Sequence, residues 1–325
     1  MPFLQTPSLN VHYRSAGTGE SVLVLVHGNF ASWRWWQPLM ERLPAGYRAY
    51  APDLRGYGDT ERRRGRYTIP ILVHDLHEFT AALRLPAFHL VGHSLGGAVA
   101  LQFALDHPTC LHTLTLVAPA PAEGLALFRE QGVPAPWLHR FLALQRDASF
   151  HTLDVVYRLM RTLRADRPLL RNALQQMMPS LPAGDLLETL AEDAGRMAPG
   201  AVAGYLRGLD RWNVQERLGE VSVPALILWG ARDWIIPQAA LERTAAALRQ
   251  AELVVWPDVG HAPQVEQPER FARLLGQWIE RHTPAQIPRM KRITRIILAF
   301  RTSLTGLSHG KIVALIPRAR CHDDH

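Results

Sequence analysis

Gly92-His93-Ser94-Leu95-Gly96-Gly97 follows a short apolar run, Ala87 to Val91, and leads into a stretch of small residues, Gly96 to Leu105. A run of that kind reads as a buried strand, and the small-residue stretch as a helix packed closely on it. The junction is a Gly-x-Ser-x-Gly turn. A serine on a sharp strand-to-helix turn needs small neighbours so that the backbone can bend, and the bend holds its hydroxyl above the sheet edge at a helix N-terminus. Alone the pattern is weak; its setting gives it weight.

Reading outward, the same alternation continues on both sides. Ser21 to Val26 is an apolar run that enters His27-Gly28-Asn29-Phe30, and a Trp-rich helical stretch (Trp33, Trp35, Trp36, Leu39, Leu43) precedes a strand near Tyr47 to Pro52. Ile71 to Leu85 has helical spacing, and Leu114 to Val117 supplies another strand. Residues 121–217 then read only as helices broken by Pro, Gly and Asp. Alternation resumes with a strand at Ala225 to Leu228, a helix at Gln238 to Leu248, a strand at Glu252 to Trp256 and a helix at Pro268 to Arg281. Strands alternating with helices predict an α/β fold with a mostly parallel sheet covered on both faces. The expected organisation is a core in two parts, residues 1–120 and 218–282, an inserted helical subdomain at 121–217 and a basic extension at 283–325.

A serine hydroxyl needs a base, and the base needs an acceptor that fixes its tautomer. Asp233, in Gly230-Ala231-Arg232-Asp233, and His261, in Gly260-His261-Ala262-Pro263, each follow a strand. The carboxyl ends of parallel strands share one edge, so Ser94, Asp233 and His261 can converge there despite their separation in sequence. The backbone N–H groups of Leu95 and Asn29 are the expected oxyanion donors. Phe30 and Trp234 each follow one of these motifs and are candidate substrate-binding residues. His27 and His93 read as structural, and Arg55 to Thr60 as a structural loop. Asp210, Asp258 and Glu266 are other carboxylates near the acid or base in sequence. The aromatics of the helical stretch (Trp137, Phe141, Phe150, Tyr157, Tyr205, Trp212) and the Trp33, Trp35, Trp36 cluster read first as core packing.

With His27-Gly28-Asn29, Asp53-Leu54-Arg55-Gly56-Tyr57-Gly58, Gly92 to Gly97, Gly230 to Asp233 and Gly260-His261 in this order, the chain resembles the cap-bearing serine hydrolases and esterases of the α/β hydrolase superfamily over about residues 10–282. The resemblance implies a substrate pocket between sheet edge and cap, and hydrolysis of a carboxylic ester or related acyl bond of a small apolar substrate, with neither cofactor nor metal. Relatives that open epoxides or displace halide place an aspartate at the nucleophile position, where this chain has Ser94. Relatives that cleave carbon–carbon bonds of ring-fission products often carry tryptophan beside the catalytic histidine, where this chain has Ala262. Proline-releasing relatives tend to have Gly before and Trp after the nucleophile, and His93 and Leu95 match neither. The carbon–carbon hydrolase stays open as an alternative, as do acyl transfer, cofactor-free peroxidation and a non-catalytic ligand receptor. Acyl length and oligomeric state are not written in these motifs.

Composition narrows the remaining choices. The 325 residues are 47% hydrophobic, with two cysteines, Cys110 and Cys321, too few for a disulfide framework. No run approaches the roughly 18 apolar residues of a membrane span, and Met1 to Asn10 lacks a signal-peptide pattern, so the expected location is the cytoplasm. Of the net charge of +7, residues 283–325 carry +6, from eight basic and two acidic residues, which leaves the body near neutral and no nucleic-acid partner expected. Within 289–304, Met290, Ile293, Ile296, Ile297, Phe300 and Leu304 share a helical face opposite Lys291, Arg292 and Arg295. That pattern suits a weak membrane-surface contact; a poorly ordered extension or a helix folded back on the body is the plainer reading.

Overall fold

A computed structural model describes residues 2–62, 67–125, 166–198 and 200–283, with Val155, Leu159 and Thr162 as isolated positions. The basic extension, the 289–304 pattern, Trp137, Phe141, Phe150 and Tyr157 lie outside the described residues.

Eight strands form one sheet: β1 (Phe3–Gln5), β2 (Asn10–Gly17), β3 (Ser21–Val26), β4 (Tyr47–Pro52), β5 (Phe88–His93), β6 (Leu111–Val117), β7 (Ala225–Gly230) and β8 (Ala251–Trp256). Their spatial order is β1-β2-β4-β3-β5-β6-β7-β8. The first two strands pair antiparallel, β2 also meets β4 antiparallel, and every later pairing is parallel. β1 and β2 extend the sheet beyond the alternation readable from residue 21 onward.

The parallel strands are continuous apolar runs because helices cover both faces. Val22, Val24 and Val26 of β3 face one core layer while Leu23 and Leu25 face the other. On β7, Ala225, Ile227 and Trp229 alternate in the same way with Leu226 and Leu228. The first layer is closed by α2 (Ile69–Ala82) and α3 (Leu95–Asp106). Opposite it lie α1 (Gln37–Met40) and α9 (Pro268–His282), which buries Phe271, Leu275, Trp278 and Ile279 along a single stripe.

Between β6 and β7 the described residues form α4 (Asp166–Met177), α5 (Asp185–Ala194) and α6 (Ala201–Asp210). α7 (Gln238–Ala247) and the short α8 (Pro263–Glu266) complete the helices named here. A third apolar cluster joins the insertion to the sheet edge: Leu174, Met178, Leu187 and Leu190 pack with Trp35, Ala262 and Val265. Tyr205 and Trp212 are buried in the first layer, in keeping with their reading as core. Among the described residues, no helix is long and apolar enough to cross a membrane.

Candidate active site

The turn between β5 and α3 holds Ser94 at φ 52° and ψ −116°. A non-glycine residue there is strained, and surrounding contacts must enforce it. Ser94 N–H donates to Val117 O at 3.0 Å, and Ser94 O accepts from Gly97 N–H at 2.8 Å and Ala120 N–H at 3.0 Å. The helix behind it sits so close that a Cβ on Gly96 would lie 2.3 Å from Val26 O and 2.5 Å from His27 O.

Asp233 follows β7 and His261 follows β8, and their side chains meet: His261 Nδ1 lies 2.7 Å from Asp233 Oδ2, with both groups nearly sealed from solvent. Asp233 Oδ1 accepts from Ile235 N–H at 2.7 Å and Ile236 N–H at 3.2 Å, so the turn that presents the carboxylate also fixes it. His261 N–H donates to Met177 O at 2.8 Å. The other carboxylates lie elsewhere: Asp258 pairs with Arg270 at the surface, and Glu266 bonds to backbone N–H groups flanking His261.

The loops carrying Ser94 and His261 are joined through His93, whose Nε2 lies 3.0 Å from His261 O. A carbonyl accepts only, so Nε2 carries the proton and the imidazole is a neutral donor. Burial and the neighbouring His261 hold the His93 pKa well below its ordinary value. Trp35 stacks on this ring with centroids 5.3 Å apart. Trp33 and Trp36 pack on the sheet as their pattern implies, whereas Trp35 lies in the cluster beside the site. No hydrogen bond joins Ser94 Oγ to His261 Nε2 among the described residues.

On the other side, β3 runs into His27-Gly28-Asn29-Phe30. His27 Nδ1 contacts Gly28 O at 2.8 Å, and Nε2 accepts from Leu54 N–H at 2.9 Å, bracing the loop with a neutral ring whose pKa burial lowers. Tyr57 bonds through its hydroxyl to Asn29 Oδ1 and stacks on Tyr205 of the insertion at 5.1 Å. The loop from Arg55 to Thr60 is tied down as structure: Arg55 forks onto Asp75 at 2.7 and 2.6 Å, and Thr60 Oγ donates to Asp53 O at 2.8 Å. Leu95 opens α3 directly after Ser94, at the first helical position, where the α-helix ladder supplies no partner for its N–H. Phe30, at φ 57°, is half-buried against the core, and Trp234 Nε1 donates to Gln176 O at 3.3 Å. Among the described residues no group of three or more His, Cys, Asp or Glu is arranged to hold a metal.

Two contacts at this site were not singled out from sequence. Glu266 bridges the His261 loop to Ser180, and Asp193 of α5 meets Arg34 at 2.8 Å. Neither carries a local signal, since each partner lies at least 86 residues away.

Residues 21–268 match the family model of the alpha/beta hydrolase fold, and the chain belongs to that family. It is 29% identical over 287 residues to a pimeloyl-[acyl-carrier protein] methyl ester esterase of Aeromonas salmonicida, covering 83% of this chain and 100% of the relative. It is 26% identical over 275 residues to a 2-hydroxy-6-oxo-6-phenylhexa-2,4-dienoate hydrolase of Burkholderia cepacia, covering 82% of this chain and 90% of the relative. Among solved structures, a thermophilic esterase from Thermogutta terrifontis superposes with a TM-score of 0.70 at 25% identity, covering 87% of this chain and 99% of that one.

Proposed function

We propose that this chain is a serine hydrolase that cleaves a carboxylic ester or related acyl bond of a small apolar substrate. The observation that carries the reading is the buried contact between His261 Nδ1 and Asp233 Oδ2, on the sheet edge where Ser94 stands in its strained turn. An Nδ1–H donated to the carboxylate leaves Nε2 with its lone pair, the atom a general base uses. Ser94 Oγ attacks the acyl carbon as His261 takes its proton. The N–H groups of Leu95 and Asn29 receive the oxyanion, and His261 then protonates the leaving alcohol. Water, deprotonated in turn by His261, releases the acid and restores Ser94. Asp233 holds the ring in the required tautomer throughout. In this reading residues 121–217 form the cap over the substrate, with Phe30 and Trp234 at its edge.

The test is labelling with a fluorophosphonate probe followed by turnover of p-nitrophenyl esters of graded chain length. One adduct on the wild type, none on Ser94→Ala, and a loss on the order of a million-fold in kcat for the variant are expected. Substantial turnover by a clean Ser94→Ala preparation would refute the assignment. A second reading, hydrolysis of a carbon–carbon bond in a ring-fission product, draws on the Burkholderia cepacia relative. Ala262, fully buried beside Trp35 and Val265, stands where such enzymes often carry tryptophan and weighs against it. Faster turnover of 2-hydroxy-6-oxo-6-phenylhexa-2,4-dienoate than of any ester in the series would reverse that preference.

A further inference from the structure

Glu266 is 6% exposed, and its carboxylate gathers donors from two distant stretches of chain. Oε1 accepts from Gly260 N–H at 2.9 Å and Ala262 N–H at 3.3 Å, the residues on either side of His261. Oε2 accepts from Ser180 N–H at 3.1 Å and Ser180 Oγ–H at 2.6 Å, in the turn that follows α4 of the insertion. The end of α4 just before that turn touches the base and acid loops twice more: Met177 O accepts His261 N–H at 2.8 Å, and Gln176 O accepts Trp234 Nε1–H at 3.3 Å. Contact is tight enough that a Cβ on Gly260 would lie 2.3 Å from Met177 O.

Hydrogen bonds to an ionised acceptor are about twice as strong as neutral ones, and a buried carboxylate needs several of them to remain charged. Here the donors are the two backbone N–H groups flanking His261 and both the N–H and the hydroxyl of Ser180 in the insertion. The Gly260-His261-Ala262 loop lies past the end of β8 and has no sheet ladder to fix it, so its backbone is held by Glu266, by Met177 O and by the His93 ring that donates to His261 O, while Asp233 sets the imidazole.

We infer that Glu266 is a positioning residue: it clamps the His261 loop to the 176–180 segment, so that the placement of the base depends on this part of the insertion being seated. The inference rests on the Ser94 and His261 reading above. It assigns the insertion a part in the chemistry besides covering the substrate. An ångström of misplacement between reacting groups costs about 100-fold in rate, which is the scale on which such a clamp acts.

The test uses the full chain with Glu266→Gln and Ser180→Ala. Glutamine fills the same volume and its carbonyl oxygen can keep Gly260 and Ala262, but its NH2 opposes Ser180 N–H. Sites competent for chemistry are counted by fluorophosphonate labelling, kcat and KM are measured per labelled site, and thermal unfolding is followed separately. For Glu266→Gln, kcat per labelled site is expected to fall about 10- to 100-fold with KM little changed, and Ser180→Ala to give a smaller loss in kcat. A purely structural role would lower Tm and leave kcat per labelled site at the wild-type value; that result in a folded Glu266→Gln protein overturns the inference. Should Glu266→Gln fail to fold, Ser180→Ala, which deletes one donor and leaves the carboxylate in place, decides by the same two outcomes. A wild type that takes no label would sink the Ser94 reading itself, whereas a labelled wild type with an unaffected Glu266→Gln variant sinks the clamp alone.

Discussion

Around Ser94, the strand–turn–helix unit from Phe88 to Asp106 and the insertion helices from Asp166 to Asp210 are fastened by different forces. The first is buried almost throughout and made of residues adjacent in sequence: β5 lies between two parallel neighbours, and Leu95 to Ala104 are all sealed in the core. The second is joined to the sheet edge partly by an apolar cluster and partly by polar ties: Asp193 to Arg34, Arg196 to Asp59, Tyr205 to Arg55 O, and Ser180 to Glu266. Close packing tolerates neither added volume nor a proton on a buried ring, whereas the exposed polar ties respond to salt. The two regions should therefore fail under different perturbations.

The largest effect is expected where packing leaves no room. Gly96→Ala drives a methyl against the carbonyls of Val26 and His27, both of them backbone, so the strand or the elbow must move. A loss above about 4 kcal/mol, or no folded protein at all, is expected from urea denaturation and soluble yield. A well-folded Gly96→Ala protein of wild-type stability would show that the elbow yields more readily than its contacts imply.

Acid should loosen the same region. His27 and His93 are buried with lowered pKa values, and burial together with the neighbouring His112 takes His89 of β5 down to about 4. In the unfolded chain these rings take up protons near pH 6.5, so below that value the unfolded state holds more protons than the folded one, for His89 down to about 4. Their contribution is complete above pH 6.5 and is lost as pH falls through this window. Removing one titration by His89→Gln, which can still bond to Thr113 Oγ, is expected to shrink the stability difference between pH 7 and pH 4 by about 3 kcal/mol. Equal pH slopes for the variant and wild type in urea titrations would contradict this account.

These contrasts also explain which parts of the molecule could be read beforehand. β3, β5 and β7 are legible because burial on both faces writes an unbroken apolar run, and Ser94, Asp233 and His261 stand at strand ends next to glycine-bearing turns. β1 and β2 are not: the first is three residues long, and the second, Asn10–Gly17, lies toward the sheet margin with exposed and buried positions mixed. Trp33, Trp35 and Trp36 are alike in sequence, and only the short helical turn they occupy sends Trp35 to His93 while the other two face the sheet. The ties of Glu266 to Ser180 and of Asp193 to Arg34 were illegible for a simpler reason. A hydrogen bond to a residue far along the chain leaves no periodicity for a carboxylate to reveal.

In the insertion the sign of the pH effect reverses. Desolvation raises the Asp193 pKa in spite of the nearby Ser32 hydroxyl and the Arg34 charge, so the folded chain holds this proton more firmly than the unfolded one. Asp193 thus weighs against folding as pH rises from the unfolded value through the raised one, and Arg34 offsets that burden. Arg34→Met, which removes both the ion pair and the guanidinium that stands 5.1 Å over the Trp33 ring, is expected to cost about 2 kcal/mol at pH 8, where the carboxylate is left ionised without its partner. At pH 5 the cost should be smaller, because Asp193 takes up a proton more readily. A loss independent of pH would mean that the contact with Arg34 acts through shape alone.

The smallest effect separates burial from ion pairing as such. Arg196 and Asp59 form a close pair between insertion and core, but their side chains are 40% and 30% exposed, against 1% for Asp193. Water already solvates both charges there, so Arg196→Met should cost less than about 1 kcal/mol. Raising the salt concentration should erode what the pair does contribute, since exposed charges are screened within about 10 Å at 0.1 M salt. Unfolding of the Arg34→Met and Arg196→Met proteins side by side, at low and high salt, measures the difference directly. If the exposed pair matters as much as the buried one and resists salt equally, burial is not what distinguishes the ties, and the insertion is held by their number and not by the Arg34 to Asp193 contact.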